Sequence, residues 1–237
     1  MTLRRSRPPA APLGLCLIAL GLCAPAQAAE LLVEAESFAD KGGWVLDAQF
    51  VDAMGSPYLL AHGQGSPCAD AAASVVLPAA GVWRLWVRTR DWTPDFAGEK
   101  PGRFQVSVNG ITLPATFGVT PASWGWPDGG TVALADPAVE IRLKDLTGFD
   151  GRCDALFFTD DLSAAPPPDG GDALRAWRAQ RLGETETPAS TSAHDLVVVG
   201  GGLAGTCAAI AAAERGLTVA LVRSEEHTSE LQSHLNL

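Results

Sequence analysis

Positive charge is scarce in this 237-residue chain: Lys and Arg number 17 against 27 Asp and Glu, a formal net charge of -10. That balance argues against a nucleic-acid binder, which would need cationic side chains to displace counterions from phosphates. Histidine is also scarce, with four residues. Two of them, His227 and His234, lie near the C-terminus, and neither His62 nor His194 has a partner at zinc-ligand spacing. No Ser-His-Asp set and no paired-carboxylate site is apparent. Long apolar runs are missing except near the N-terminus, where Leu13–Leu22 is too short to span a bilayer. What the chain does have is apolar content, 47%, with 25 Gly and 17 Pro. That suffices for a core and excludes wholesale disorder.

The first 28 residues read as an address. Arg4, Arg5 and Arg7 precede the apolar run, and Ala26-Gln27-Ala28 places small residues at a cleavage site. This is the pattern of a secretory signal peptide, so the protein is expected to be exported, periplasmic or extracellular. Cys16 and Cys23 each follow Leu, which disfavours lipoprotein processing. Beyond the leader remain Cys68, Cys153 and Cys207. An oxidising compartment permits a Cys68–Cys153 bridge, although connectivity is not readable from an odd count.

Residues 29–163 are expected to form a mainly β domain, an antiparallel β-sandwich of jelly-roll type. Ten short apolar or alternating runs, from Leu31–Glu36 to Ala155–Phe158, are separated by Gly, Pro, Asn and Asp. In Val82–Arg90, Trp83, Leu85 and Val87 share one face, with Arg84, Trp86 and Arg88 on the other, solvent-facing side. Phe104, Val106 and Val108 point inward, as do Val139, Ile141 and Leu143. Asn109-Gly110 supplies a two-residue hairpin turn. Trp92, Trp124 and Trp126 fall in loops. They could stack on sugar rings, or serve as lids and interdomain packing.

The stretch resembles the non-catalytic β-sandwich modules of carbohydrate-active enzymes. The resemblance rests on Val33-Glu34-Ala35-Glu36, Gly42-Gly43-Trp44, the run Leu77–Arg88, Val108-Asn109-Gly110 and Asp154. It implies glycan binding as one role and a structural Ca²⁺ held by Glu36 and Asp154, with Glu34 as a further ligand. The alternative is that these carboxylates are solvated or hydrogen-bonded strand-end residues.

Residues 164–193 read as a Pro/Gly linker carrying a short helix within Asp172–Leu182. A β-α-β pattern follows over 194–222. The apolar strand Asp195–Val199 leads into Gly200-Gly201-Gly202-Leu203-Ala204-Gly205. An Ala-rich helix then runs over 206–215, Gly216 stops it, and a second strand covers Leu217–Val222. G-x-G-x-x-G at a strand-to-helix turn is the dinucleotide fingerprint of a Rossmann-type unit. Gly200 serves the tight turn, Gly202 the approach of the pyrophosphate, and Gly205 the packing of helix on strand. Backbone N–H groups of Gly200–Gly205 and the helix dipole would meet the phosphates.

This segment resembles the opening of FAD-dependent oxidoreductases, particularly a secreted bacterial family, some members labelled xanthan lyase, whose flavin domain follows a sugar-module-like sandwich. The resemblance implies FAD as the cofactor and hydride transfer at its isoalloxazine ring. It assigns no catalytic residue, because no position able to contact the flavin ring falls within the pattern. Finally, Arg223–His234 (RSEEHTSELQSH) resembles the translation of a common sequencing adapter. Residues 223–237 are therefore expected to be foreign, and the fragment itself inactive. Glycan and FAD are the expected partners, with no nucleic acid and no membrane span.

Overall fold

The computed structural model describes residues 28–184 and 192–223. The expected leader, apart from Ala28, and the adapter-like tail beyond Arg223 lie outside the described residues. The chain divides into two compact units, Met1–Leu182 and Gly183–Leu237.

The first unit is an antiparallel β-sandwich. Its strands are β1 (Glu30–Glu34), β2 (Trp44–Asp47), β3 (Tyr58–Ala61), β4 (Ala71–Val76), β5 (Gly81–Thr89), β6 (Phe104–Val108), β7 (Ile111–Thr112), β8 (Asp128–Leu134), β9 (Ala138–Asp145) and β10 (Gly151–Thr159). A 3-10 turn (Ala35–Ser37) follows β1, α1 (Val51–Met54) precedes β3, and α2 (Gly171–Leu182) ends the unit. One sheet runs β2-β3-β10-β5-β8, with β1 also paired to β10; the other runs β4-β9-β6-β7. Every pairing is antiparallel.

Side-chain alternation decides which faces meet. β9 alternates exposed and buried along its length, with Val139, Ile141 and Leu143 inward, and β6 buries Phe104, Val106 and Val108. They pack against Trp83, Leu85, Val87, Leu156 and Phe158 of the facing sheet to form one continuous core. The β6–β7 hairpin turns through Asn109 (φ 49°) and Gly110 (φ 76°), and Val108 pairs with Ile111. Positive φ at both positions is the geometry that matches the strand twist.

One expectation needs correction. The second face of β5 is not wet: Trp86 and Arg88 are both buried, and β10 is buried throughout. The cover is α2. Leu174 and Trp177 of this helix join Leu32, Trp86, Trp126, Ala155 and Phe157 in a second apolar cluster on the outer face of the larger sheet. Sequence alternation in β5 reports only the chemistry of the two faces, and Arg88 is polar although it is covered.

The second unit holds β11 (Leu196–Val199), α3 (Leu203–Ala213) and β12 (Val219–Val222). The strands pair in parallel, Leu196 with Val219 through Val199 with Val222, and α3 makes the crossover. Val197, Val199, Leu203, Ile210 and Val222 are exposed. No helix among the described residues is long and apolar enough to cross a membrane.

Candidate functional sites

The glycine-rich turn sits where β11 passes into α3. Gly200 takes φ +111°, in the region that favours glycine, and its N–H donates to the carbonyl of Val222 at 2.8 Å. A Cβ on Gly205 would stand 1.9 Å from the Gly200 carbonyl oxygen and 3.4 Å from Val198. Only glycine lets the helix lie so close to the turn. Gly202 is the N-cap of α3, in extended conformation with no capping side chain, and the space beside its Cα is open. The N–H groups of Leu203, Ala204 and Gly205 belong to a first turn that has no intrahelical acceptors. Backbone donors at the positive end of a helix are the chemistry an anionic phosphate requires, and the Arg223 side chain lies against Gly201 beside them.

In the first unit, Glu34, Glu36 and Asp154 gather so that a carboxylate oxygen of each lies within 4.8 Å of the others. The chain brings them together because Glu34 ends β1, Glu36 lies in the adjoining turn, and Asp154 sits on β10, the strand paired to β1. Two arginines enter the same pocket. Arg178 of α2 donates through Nη1 to Asp154 (2.8 Å), through Nε to Glu34 (3.1 Å), and through Nη2 to Glu34 and to the Ser56 hydroxyl (2.6 Å). Arg88 of β5 donates through Nη1 to Asp154 (3.2 Å) and through Nη2 to the carbonyl of Asp169 (2.6 Å). Burial pushes the carboxyls of Glu34 and Glu36 upward, against the pull of Arg178. Glu36 reaches about 7, with Asp154 adding to the effect. Glu34 is raised further, to about 8; both of its oxygens accept from Arg178, while Glu36 Oε2 is buried without a partner.

The three loop tryptophans have different fates. Trp124 is buried against Phe50 and Tyr58, ring centroids 5.9 and 5.0 Å away. Trp126 is buried against Trp177 at 5.6 Å and donates to the Pro168 carbonyl. Both flank Arg88, whose guanidinium lies 5.8 and 5.9 Å from their rings. They are packing residues, not exposed sugar platforms. Trp124 edges a cleft of about 440 Å³ beside Arg88, Asp169 and Arg175, and Trp92 reaches a second, more aromatic one. This cleft, about 490 Å³, is walled by Trp92, Phe96 and Phe149, with Glu99, Lys100 and Arg103 at its margin. The Trp92 indole donates to the Phe149 carbonyl (3.1 Å), and Lys100 pairs with Asp91 (2.8 Å). These contacts fix the aromatic wall and one cation beside it.

Cys68 and Cys153 are free thiols, so the permitted bridge is not formed. Cys153 points into the core from β10, and burial holds its thiol well above the ordinary value.

Residues 195–235 match the family model described as FAD binding domain. The match extends past Val222 into the segment read above as adapter-derived, so those two readings disagree there. No curated protein sequence matches the chain. In backbone fold the chain is similar to a family 35 carbohydrate binding module from Clostridium thermocellum, at 19% identity and TM-score 0.44. That similarity covers 58% of this chain and 100% of the module. It is also similar to the CBM36-1 domain of a multidomain xylanase from the hindgut metagenome of Trinervitermes trinervoides. Identity there is 16% and TM-score 0.42, over 54% of this chain and 95% of that one. A third similarity is to the GH26-CBM35 β-(1,4)-mannanase of Podospora anserina, at 18% identity and TM-score 0.45. It covers 82% of this chain and 42% of that one.

Sequence reasoning missed Arg88 and Arg178 as members of the carboxylate pocket. The signal for Arg88 was faint: an arginine in phase with Trp86 on the face of β5 that also carries Arg84. Arg178 had none, because its partners lie 24 and 144 residues away in sequence.

Proposed function

We propose that the second unit is the opening β-α-β of an FAD-binding domain, and that the protein is the N-terminal portion of an exported FAD-dependent oxidoreductase. The glycine turn carries the reading. Gly200 makes the bend, Gly205 lets α3 close onto it, and Gly202 caps α3 with open space beside its Cα, so the first-turn N–H groups of Leu203, Ala204 and Gly205 would serve a pyrophosphate. The match of residues 195–235 to the FAD binding domain model supports the same cofactor. Bound FAD would supply hydride chemistry, and the Gly200–Gly205 turn would hold its phosphates.

Among the described residues of the second unit, two strands and one helix leave Val197, Val199 and Val222 exposed, so this β-α-β by itself should not retain FAD. The test is to amplify the gene across Val222 from genomic DNA and express the continuous frame. That product should purify with stoichiometric flavin absorbance, and Gly202→Glu, which puts a carboxylate where the phosphate belongs, should lose it. A colourless product with intact folding refutes the proposal.

A second reading concerns the sandwich. The Trp92–Phe96–Phe149 cleft offers aromatic faces beside fixed polar groups, a composition suited to a sugar ring. We assign it as the glycan subsite in preference to the Trp124 cleft, which has a single, largely buried aromatic wall, and to Trp126, which is buried. On a glycan array the wild type should bind a defined set and Trp92→Ala should lose it. Silence of the wild type refutes the assignment.

A further inference from the structure

The pocket of Glu34, Glu36 and Asp154 is where the family resemblance implies a calcium ion, and the residues present do not fit one. We propose that Arg178 is the built-in cation of this pocket: it stands in the place of a metal ion and latches α2 to the first and last strands of the sandwich.

The geometry carries this. A guanidinium has five N–H donors in a planar fork. Arg178 directs four hydrogen bonds into the pocket: two to the Glu34 carboxylate, one to Asp154 and one to Ser56. Its side chain is 6% exposed and that of Asp154 is 0% exposed, so the interaction is made away from water. Calcium needs roughly six to eight oxygen ligands at about 2.3–2.6 Å. Both oxygens of Glu34 already accept from Arg178, and Asp154 Oδ2 accepts from Arg178 and Arg88 together. A divalent ion would have to displace Arg178, or stand beside two guanidinium groups and be repelled by both.

Two guanidinium groups already stand against the three carboxyls, Arg178 on Glu34 and Asp154 and Arg88 on Asp154. The other groups that face Arg88 and Arg178 are the Ser56 hydroxyl, the Met54 sulfur, the Asp169 carbonyl and carboxylate and the Trp124 and Trp126 rings. None of them demands a metal. What a metal would do for two strands, Arg178 does for three elements at once: β1 through Glu34, β10 through Asp154, and α2 through its own backbone. The flanking residues Leu174 and Trp177 then seat the helix on the outer sheet face.

The test uses the 237-residue chain and calcium itself. Thermal melts of the wild type in excess EDTA and in millimolar CaCl₂ should agree within about 1 °C, because no site is available to the ion. Arg178→Ala leaves the buried carboxylates uncompensated, and its Tm in EDTA should fall by roughly 10 °C. It also vacates the cation position, so CaCl₂ should recover part of that loss. A wild-type Tm that rises with calcium overturns the proposal without any variant. So does an Arg178→Ala chain that melts like the wild type in EDTA, or one that calcium does not stabilise.

Discussion

Trp177→Ala tests whether α2 is part of the sandwich. In the expected linker this tryptophan would be a surface residue of little consequence. In the structure it is half-buried, edge-on to Phe157 (centroids 5.0 Å, 76°) and to Trp126 (5.6 Å, 65°), with the Arg181 guanidinium 4.1 Å from its ring. A tryptophan buries about 150–250 Å² when fully covered. Half of that, at about 25 cal/mol per Å², is worth about 2–3 kcal/mol. The two edge-to-face pairs add about 1 kcal/mol, and alanine's better helix propensity returns a few tenths. The expected destabilisation is about 3 kcal/mol. With an m-value of about 2 kcal/mol/M, the urea midpoint should drop by about 1.5 M. Far-UV circular dichroism is the readout, because removing an indole changes the fluorescence. Phe96→Ala, at an exposed cleft position, is the control and should shift stability by no more than about 0.5 kcal/mol. If Trp177→Ala behaves like the control, α2 is not docked in solution and the second apolar cluster is wrong.

The buried carboxyl of Glu36 links stability to pH. Its pKa is raised from 4.5 to about 7 on folding, so the folded state holds a proton that the unfolded chain has lost. That contribution is complete below about pH 4.5 and disappears as pH rises through 7. Allowing for solvent at a half-buried group, it should amount to about 2 kcal/mol. Glu34, raised to about 8, adds a decline of the same sign, so Tm should fall between pH 5 and 8 and Glu36→Gln should lessen the fall without abolishing it; an unchanged slope in that variant refutes the assignment. Alkylation of the denatured, unreduced protein should label both Cys68 and Cys153, and protection of the pair would mean that the bridge forms after all.

The strands of the sandwich were legible from local sequence, because a strand declares itself through alternation. Each of the ten expected runs coincides with or overlaps one of β1–β10, and the Asn109-Gly110 turn lies between β6 and β7. The glycine turn was equally legible. Its constraint is local backbone geometry, and Gly205 and Gly200 are five residues apart. What the sequence could not convey was anything decided by elements distant along the chain. Alternation in β5 placed Arg84, Trp86 and Arg88 on one face but could not tell that α2 would return to cover it. Trp124 and Trp126 looked like loop residues, and only packing against Tyr58, Arg88 and Trp177 buries them. Glu34, Glu36 and Asp154 were singled out as a set, yet their chemistry turns on Arg178, a residue unremarkable in its own helix. Tertiary structure decides such a pocket because a buried carboxylate must be neutralised by whatever cation the fold delivers, and local sequence carries no trace of a cation delivered from elsewhere in the chain.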